Sequence, residues 1–275
     1  MPSMALAGTY EPMLRLSSFF AVFAAMAVWE VWAPRRGRQF SRRQRWPHNI
    51  ALLLIDVAVI RIVAPGAAIA VAVAGEANGW GLLNSIVLPR WLTIAVAVVF
   101  LDLVIYFQHV IFHAVPALWR LHRVHHSDQD FDVTTGTRFH PLEILISTGI
   151  KCGAVAAIGA PALAVLLFEV LLNATAMFNH ANARIPLSVD KFLRWIVVTP
   201  DMHRVHHSIV YNESSSNFGF NTPWWDHVFG TYRAQPRDGH EAMTIGVDAF
   251  RTPEDMRIER LLIQPLSSNL PRSPV

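Results

Sequence analysis

The sequence contains one cysteine, Cys152, in 275 residues, and only 16% of its residues are charged. A single cysteine excludes an intramolecular disulfide framework, a cysteine-rich zinc site and a cysteine-ligated iron–sulfur cluster. Soluble domains carry roughly 25% charged residues. The low charge and the 53% hydrophobic content therefore argue against an ordinary soluble enzyme and against a disordered chain. The sequence also lacks HExxH, GxSxG, a P-loop and a convincing Rossmann fingerprint.

Long apolar runs occupy much of the chain. About 20 apolar residues cross the hydrocarbon core of a bilayer, and three runs reach about that length: residues 14–33, 50–73 and 92–110. Pro65 and Gly66 predict a kink in the second run. A fourth block, residues 142–178, is too long for one crossing, and Gly159 to Pro161 divide it into a helical hairpin. These patterns predict an all-α, multi-pass membrane fold of about four spans, the hairpin included.

A basic segment separates the first two runs and contains no acid: Arg35, Arg36, Arg38, Arg42, Arg43 and Arg45. Such a segment is found in nucleic-acid-binding proteins, but between two apolar spans the positive-inside rule explains it better and places it in the cytoplasm. Counting spans from there places every histidine cluster and the C-terminus on the same cytoplasmic face. We therefore expect an integral membrane protein with its histidine site on that face and no nucleic-acid partner.

Charged residues inside the apolar runs need partners or a protein interior. Asp56 and Arg61, five residues apart, are expected to pair or to face the interior, and Lys151 is expected to pair or to snorkel. We divide the chain into N-terminal spans with the basic loop (1–91), a catalytic domain (92–240) and a polar C-terminal tail (241–275). Residues 182–275 are polar enough to be soluble, and the end after Pro253 is expected to be loosely held.

Histidine is unusually frequent, with 13 residues, and ten of them lie between His109 and His207. Three helical spacings stand out: His109 and His113; His122, His125 and His126; His203, His206 and His207. Positions i, i+3 and i+4 share one helix face, so each motif is expected to present its imidazoles toward a common point. Iron and zinc suit imidazole ligands. Eight nitrogen ligands exceed the needs of one ion, and we therefore predict two.

Several further residues are candidates for the same site. Asp102 and Tyr106 share a helical stripe with His109 and His113, so they are expected either to orient a histidine or to make a structural contact between helices. His180 is a plausible ninth ligand or a helix cap. His140 is a candidate ligand, hydrogen-bond partner or cap. His48, His227 and His240 lie outside the spacings and are expected to be surface or interfacial residues.

These motifs resemble the fatty acid hydroxylase/sterol desaturase superfamily of integral-membrane diiron oxygenases. The resemblance covers about Leu92 to Tyr232 and rests on HVIFH at 109–113, HRVHH at 122–126 and TPDMHRVHHS at 199–208. Supporting stretches are FHPLE at 139–143, FNHAN at 178–182, NFGFN at 217–221, WWD at 224–226 and FGTY at 229–232. His227 departs from the pattern, because relatives often have arginine there, so its role stays open. Asp226 is expected to fix this C-terminal stretch under the site.

The resemblance implies a helical membrane domain with a cytoplasmic histidine-lined cap that holds two iron ions, with zinc as a substitute metal. It implies that the three motifs supply the ligands, together with His180. It also implies hydroxylation or desaturation of a lipid from the bilayer (fatty acyl, sterol, ether lipid or carotenoid), with O2 as co-substrate. The electrons would come from a separate ferredoxin or cytochrome b type donor with its reductase, because the 36 residues after Gly239 are too few for a donor domain.

Two other functions remain open from the sequence. One is a non-catalytic metal-binding or metal-transport membrane protein, although transporters place their ligands near the bilayer midplane and most of these histidines follow the end of a span. The other is a structural membrane protein with incidental histidines. Under any of these functions Cys152, inside the hairpin, is expected only to pack. Metal content and O2 uptake distinguish these alternatives.

Overall fold

The computed structural model describes residues 11–267, and every regular element in that range is a helix. The longer helices are α1 (Glu11–Trp32), α2 (Arg42–Val63), α3 (Ala67–Asn78), α4 (Arg90–Ala114), α5 (Pro116–His126), α6 (Pro141–Ile158) and α7 (Ala162–Asn179). Short helices follow: α8 (Leu187–Leu193), α9 (Pro200–His206), α10 (Tyr211–Ser214), α11 (Trp224–Val228), α12 (Gly239–Ala242) and α13 (Ile258–Ile263). Single 3₁₀ turns lie at Leu82–Asn84, Thr135–Thr137, Pro253–Met256 and Gln264–Leu266. The predicted all-α class is confirmed.

Five helical segments are long and apolar enough to cross a membrane: α1, the broken segment Arg42–Asn84, α4, α6 and α7. The sequence predicted about four spans because it counted the hairpin once. Each arm of that hairpin has 18 residues, about 27 Å at ~1.5 Å per residue, so each arm alone is long enough. The turn between the arms is at Gly159, which has a φ of 72°, as predicted.

The second span differs most from its prediction. Helix α2 begins at Arg42, eight residues before the expected start, because Ser41 and Gln44 form a capping box there. Half of the basic segment is therefore helical. The predicted break is present, since α2 ends at Val63 and Gly66 has a φ of 62°. Helix α3 then continues to Asn78, past the predicted end at residue 73.

The long helices run between two poles. At one pole lies the cap, which comprises residues 115–140 and 180–267 and carries most of the histidines. The chain after α1 joins the cap through the backbone bridge between Pro34 and Ala183. At the other pole the hairpin tip meets the turn after α3 so closely that a Cβ on Gly81 would lie 2.2 Å from the nitrogen of Gly159. Larger residues at these two positions would therefore push the turn off the tip.

Small side chains let the membrane helices pack closely. The main apolar cluster joins α3, α4, α6 and α7 and includes Ala72, Ala97 and Ala164, which are all almost fully buried. Helices in lipid gain little from the hydrophobic effect against one another, so close backbone approach through small residues supplies van der Waals contact. The cluster holds α4 and α7, the two helices that lead histidines into the cap, at fixed positions.

The charged residues in the spans are placed in two ways. Lys151 pairs with Glu169 at 2.6 Å across the hairpin, and Arg15 of α1 binds the same carboxylate, so the pairing predicted for Lys151 is confirmed. Asp56 is buried whereas Arg61 is exposed, and no ion pair joins them in the described range. Asp56 therefore faces the interior, which was the other expectation.

The arginines of the basic segment hold the cap onto the spans. Arg45 is fully buried and binds Asp128 through two nitrogens, at 2.8 and 2.6 Å, and Asp132 at 2.6 Å. Glu30, at the end of α1 just before this segment, also holds the cap, because it accepts hydrogen bonds from the backbone N–H groups of Val133, at 2.7 Å, and Asn182, at 3.0 Å. The arginines of the basic segment thus have a structural role in addition to the topological one predicted for them.

The expectation that the segment after Pro253 is loosely held is wrong for the residues described. Leu261 of α13 is fully buried against Leu52 and Val124. The carbonyl groups of Gln264 and Pro265 accept hydrogen bonds from Arg123 and Arg120 of α5. Apolar packing and these bonds tie the segment to the histidine-bearing helix. The last eight residues, 268–275, lie outside the described range.

We expect Arg45→Met to destabilise the fold by about 3–5 kcal/mol, because it removes the arginine that pairs with the buried carboxylates of Asp132 and Asp128 and leaves Asp128 with Arg138 at 3.9 Å. The matched control is Arg43→Met in the same helical turn, where the arginine is exposed and the change should stay within about 0.5 kcal/mol. Thermal unfolding in detergent measures both. Equal melting temperatures for the two variants would contradict a structural role for Arg45.

Candidate metal centre

The structure brings all nine predicted ligand histidines together in two groups. Group one contains His109, His113, His122, His126 and His206. Group two contains His125, His180, His203 and His207. Within each group one ring nitrogen per residue lies within 4.8 Å of the others, and every ring is buried. The groups are adjacent, because the rings of His126 and His207 stack with centroids 4.4 Å apart. This is the arrangement expected for two neighbouring ions.

The motifs divide between the groups in a way that the spacing did not predict. Each motif was expected to face one common point, but His125 lies in group two whereas its neighbours His122 and His126 lie in group one. Likewise His206 lies in group one, and His203 and His207 lie in group two. Only the i, i+4 pairs stay together, because four residues turn a helix by ~400° and three by ~300°. The remaining histidine of each HxxHH motif, His125 or His206, belongs to the other group.

Local sequence sets where these helices begin. Val115 is extended and Pro116 occupies the first turn of α5, which turns the chain sharply after α4. Helix α9 starts in the same way, with Pro200 in its first turn and the side chain of Thr199 accepting from the N–H of Met202 at 3.3 Å. These starts aim both HxxHH motifs at the end of α4.

Hydrogen bonds hold the rings in one orientation. The Nδ1 atoms of His109, His206 and His180 lie 2.8, 2.7 and 2.7 Å from the carbonyl oxygens of Phe218, Ser216 and Ala176, respectively. The Nδ1 of His122 lies 2.6 Å from Oε1 of the buried Glu143. A proton on Nδ1 that donates to these oxygens leaves the Nε2 lone pair free to bind a metal ion, as in many metal sites.

The residues fit a metal pair by two further criteria. Burial lowers the pKa of His122 and of His180 to about 3, and burial with neighbouring imidazoles lowers the pKa of other cap histidines, such as His203, well below the usual range. Neutral imidazole is the metal-binding form. Moreover, the buried Nε2 atoms of His109, His122, His126, His203 and His206 have no hydrogen-bond partner in the described range. Unpartnered buried nitrogens are costly, and bound metal ions would satisfy them.

Gly136 provides the space for His180. A Cβ at position 136 would lie 2.5 Å from the carbonyl oxygen of Ala176 and 3.2 Å from Nδ1 of His180. That carbonyl is the acceptor that orients the His180 ring. The loop can therefore close over group two only because residue 136 has no side chain.

Asp102 and Tyr106 make no hydrogen bond or ring contact with a histidine in the described range. Asp102 accepts hydrogen bonds from Thr222 at 2.7 Å and from the indole of Trp225 at 2.9 Å. The hydroxyl of Tyr106 bonds that of Thr231 at 2.9 Å. The structural contact considered for Asp102 is thus observed, and the histidine-orienting role is not.

Asp102 and Tyr106 instead fix the segment 216–231, whose carbonyl groups orient His109 and His206. Asp226 contributes from within this segment, because its carboxylate accepts the N–H groups of Phe218 and Gly219, each at 2.8 Å. The predicted role of Asp226 is therefore confirmed by its contacts. The sequence predicts no role for Glu143, and the one signal of its importance is its position in the FHPLE stretch, three residues after His140.

The remaining histidines lie outside both groups. His140 caps α6, accepting from the N–H of Leu142 at 3.2 Å, and its other nitrogen lies 3.2 Å from the carbonyl of Leu262. His227 is exposed and stacks between Trp195 and Tyr232, and His48 is partly exposed. His240 was expected at a surface or an interface, but it is buried 3.6 Å from Asp201. That expectation is wrong, because the cap folds back over α12.

The fold and the site together define a helical membrane protein with two adjacent groups of buried histidines that could hold metal ions. The fatty acid hydroxylase family model matches residues 94–231, a range that contains every histidine of both groups. The chain belongs to this family. No solved structure matches it.

Named relatives agree with this assignment. Ornithine lipid hydroxylase OlsE of Rhizobium tropici is 28% identical over 229 residues, which are 80% of this chain and 65% of the relative. Alkylglycerol monooxygenase of Xenopus tropicalis is 26% identical over 163 residues (58% of this chain, 34% of the relative). The human alkylglycerol monooxygenase is 28% identical over 146 residues (53% and 32%). The chain therefore spans less than two thirds of the length of each.

We expect Glu143→Leu to weaken metal binding about 10–100-fold, because it removes the acceptor that orients His122. Glu143→Gln should lose less, since its amide oxygen still accepts from Nδ1. The measurement is metal retained by the purified full chain against a chelator series. His140→Asn is the control: asparagine keeps the cap of α6, and binding should be unchanged. A loss of metal with His140→Asn equal to that with Glu143→Leu would contradict these assignments.

One histidine from each group tests the division into two. We expect His206→Ala and His125→Ala each to lower the metal content of the chain sharply, by about one ion of two, because each removes a ligand from a different group. Elemental analysis of the purified variants measures this. Unchanged metal content in both would mean that the histidines are incidental to metal binding.

Proposed function

We propose that this protein is a membrane-bound diiron oxygenase that hydroxylates a C–H bond of a lipid, with O2 and electrons from a separate donor protein. The observation that carries the proposal is the division of nine buried histidines into two adjacent groups. The family assignment and the hydroxylase and monooxygenase names of the relatives support it. Because those names describe oxygen insertion, hydroxylation is preferred over desaturation.

We propose the nine histidines as the ligands of two iron ions, five in group one and four in group two. Iron bound there would supply the activation of O2 and the removal of hydrogen from an unactivated C–H bond. Zinc suits the same imidazoles but has no redox chemistry, so it would fill the site without supporting turnover. Asp102 and Tyr106 act at a distance, by holding the segment that orients His109 and His206.

The surrounding side chains keep water out of the centre. Phe139 stacks on His125 with centroids 4.5 Å apart, and Phe218 lies edge-on to His113 at 5.2 Å. Phe131 covers His207 at 5.1 Å. An apolar, closed environment strengthens electrostatic interactions inside and protects reactive species from side reactions. The same apolar walls suit the hydrocarbon chain of a lipid.

We propose a lipid with a polar head and an alkyl or acyl chain as the substrate, entering from the bilayer. Ornithine lipids and alkylglycerols, named in the relatives, both fit this description. The cytoplasmic orientation of the cap rests on the basic segment that precedes it. The location of both groups at one pole, beyond most of the length of α4, favours an enzyme over a transporter with ligands at the midplane.

The test is lipid mass spectrometry of cells that express the full chain under ¹⁸O2. We expect lipids heavier by one labelled oxygen with the wild type and with His140→Asn, and none with His206→Ala. Purified chain should consume O2 only with a reductant and lipid present. Lipids lighter by two hydrogens would contradict hydroxylation. Metal flux into liposomes without O2 uptake would contradict an oxygenase altogether.

A further inference from the structure

One part of the cap surface is apolar where water would be expected. Phe192 and Trp195 are 65% and 69% exposed, and Ile196, Trp224, Val228 and Phe229 are also exposed. Contacts join them into one surface, since the indole of Trp224 donates to the carbonyl of Trp195 at 2.8 Å. His227 stacks on Trp195 with centroids 5.5 Å apart. We call this the aromatic patch: residues 192–196 and 224–229.

Half of the patch lies on one unit, helix α8 with the turn that follows it at residues 194–196, and this unit is arranged inside out. Its inner face bears Asp190 and Arg194, which are both buried and joined by an ion pair of 2.7 Å. Arg194 also donates to the carbonyl of Ala234 at 2.6 Å. Its outer face bears Phe192, Trp195 and Ile196, beside the exposed Lys191. A helix that faces water shows the opposite pattern, with apolar residues inside and charges outside. The three outer side chains therefore suit an apolar medium better than water.

The patch continues the lipid-facing surface of α4. Phe229 packs on Phe107, with ring centroids 5.0 Å apart, and stacks on Tyr106 at 5.3 Å. Phe107 is exposed on the side of this span, as is Ile111 one turn later. The segment also reaches further along α4, because Trp225 bonds Asp102. The patch thus begins on a membrane helix and extends from it over the cap.

The length of α4 gives the depth of the patch. Trp91, exposed near the start of α4, is the kind of residue found at a bilayer interface. At ~1.5 Å per residue the ~30 Å hydrocarbon core ends about 20 residues later, near Ile111. Phe107 and the Phe229 ring that packs on it then lie just inside the core. Trp225, whose indole bonds Asp102, reaches deeper along α4, and the rest of the patch extends from this region over the cap.

We propose that the aromatic patch is a membrane-interface surface, immersed in the headgroup and outer acyl region of the bilayer beside α4. The cap is then sunk into one leaflet on this side. This placement differs from the soluble part expected after residue 182. Tryptophan and phenylalanine favour this depth, and buried apolar area drives such immersion. The proposal does not depend on metal binding or on the proposed reaction.

Site-directed spin labelling of the full chain in phosphatidylcholine–phosphatidylglycerol vesicles tests this proposal. Cys152→Ala removes the lone cysteine, and labels are placed through Phe192→Cys, Trp195→Cys and Val228→Cys. Leu171→Cys, exposed on α7, is the lipid reference, and Gln235→Cys, exposed on the cap, is the water reference. Ile196→Cys replaces any patch variant that loses helical circular dichroism.

Collision rates with O2, which concentrates in lipid, and with a water-soluble nickel chelate give the result. We expect the ratio of O2 to nickel collisions at the three patch positions to exceed that of Gln235→Cys clearly and to lie at or below that of Leu171→Cys, which is in the middle of a span. A ratio equal to that of Gln235→Cys would mean that the patch faces water. Low collision rates with both reagents, together with spin–spin broadening, would mean that a second copy of the chain covers it. Either result overturns the proposal.

Discussion

Nine imidazoles share a space from which water is excluded, and the rest of the cap is arranged around that constraint. Burial keeps the cap histidines neutral, so each ring offers a lone pair that has lost its water. Leaving such groups unsatisfied costs about 1–3 kcal/mol each. Carbonyl oxygens and Glu143 satisfy one nitrogen of four rings. Two metal ions would satisfy the nitrogens that point inward.

Other residues hold the backbone segments that orient the histidine rings. The segment 216–231 supplies two of the carbonyl groups, and it is held in turn by Asp102, Tyr106 and Asp226. The loop before α6 is held by the buried Arg45 and by Glu30, which both come from the first two helices. The spans therefore do more than anchor the chain, because their polar residues position the backbone that orients the histidines.

The sequence predicted the features that depend on local patterns. Apolar run length predicted the helices, Gly159 predicted the hairpin turn, and the spacing of histidines predicted eight of the nine residues that meet, with His180 expected as a ninth from its place at the end of the hairpin. It did not predict how the motifs divide between two groups, since that depends on how α5 and α9 cross the end of α4. Nor did it predict ion pairs between residues distant in the chain, such as Arg45 with Asp128, because each residue considered alone is typical of an exposed surface charge. The start of α2 was missed because a capping box at Ser41 outweighed the charge of the arginines.

The central claim is that the two histidine groups hold two separate iron ions. The most direct test is a crystal structure of the full chain purified with iron, with anomalous difference maps recorded on both sides of the iron absorption edge. The account predicts two peaks, one among the five rings of group one and one among the four rings of group two. A single peak shared by both groups, or a peak at His140 or His240 instead, would contradict it.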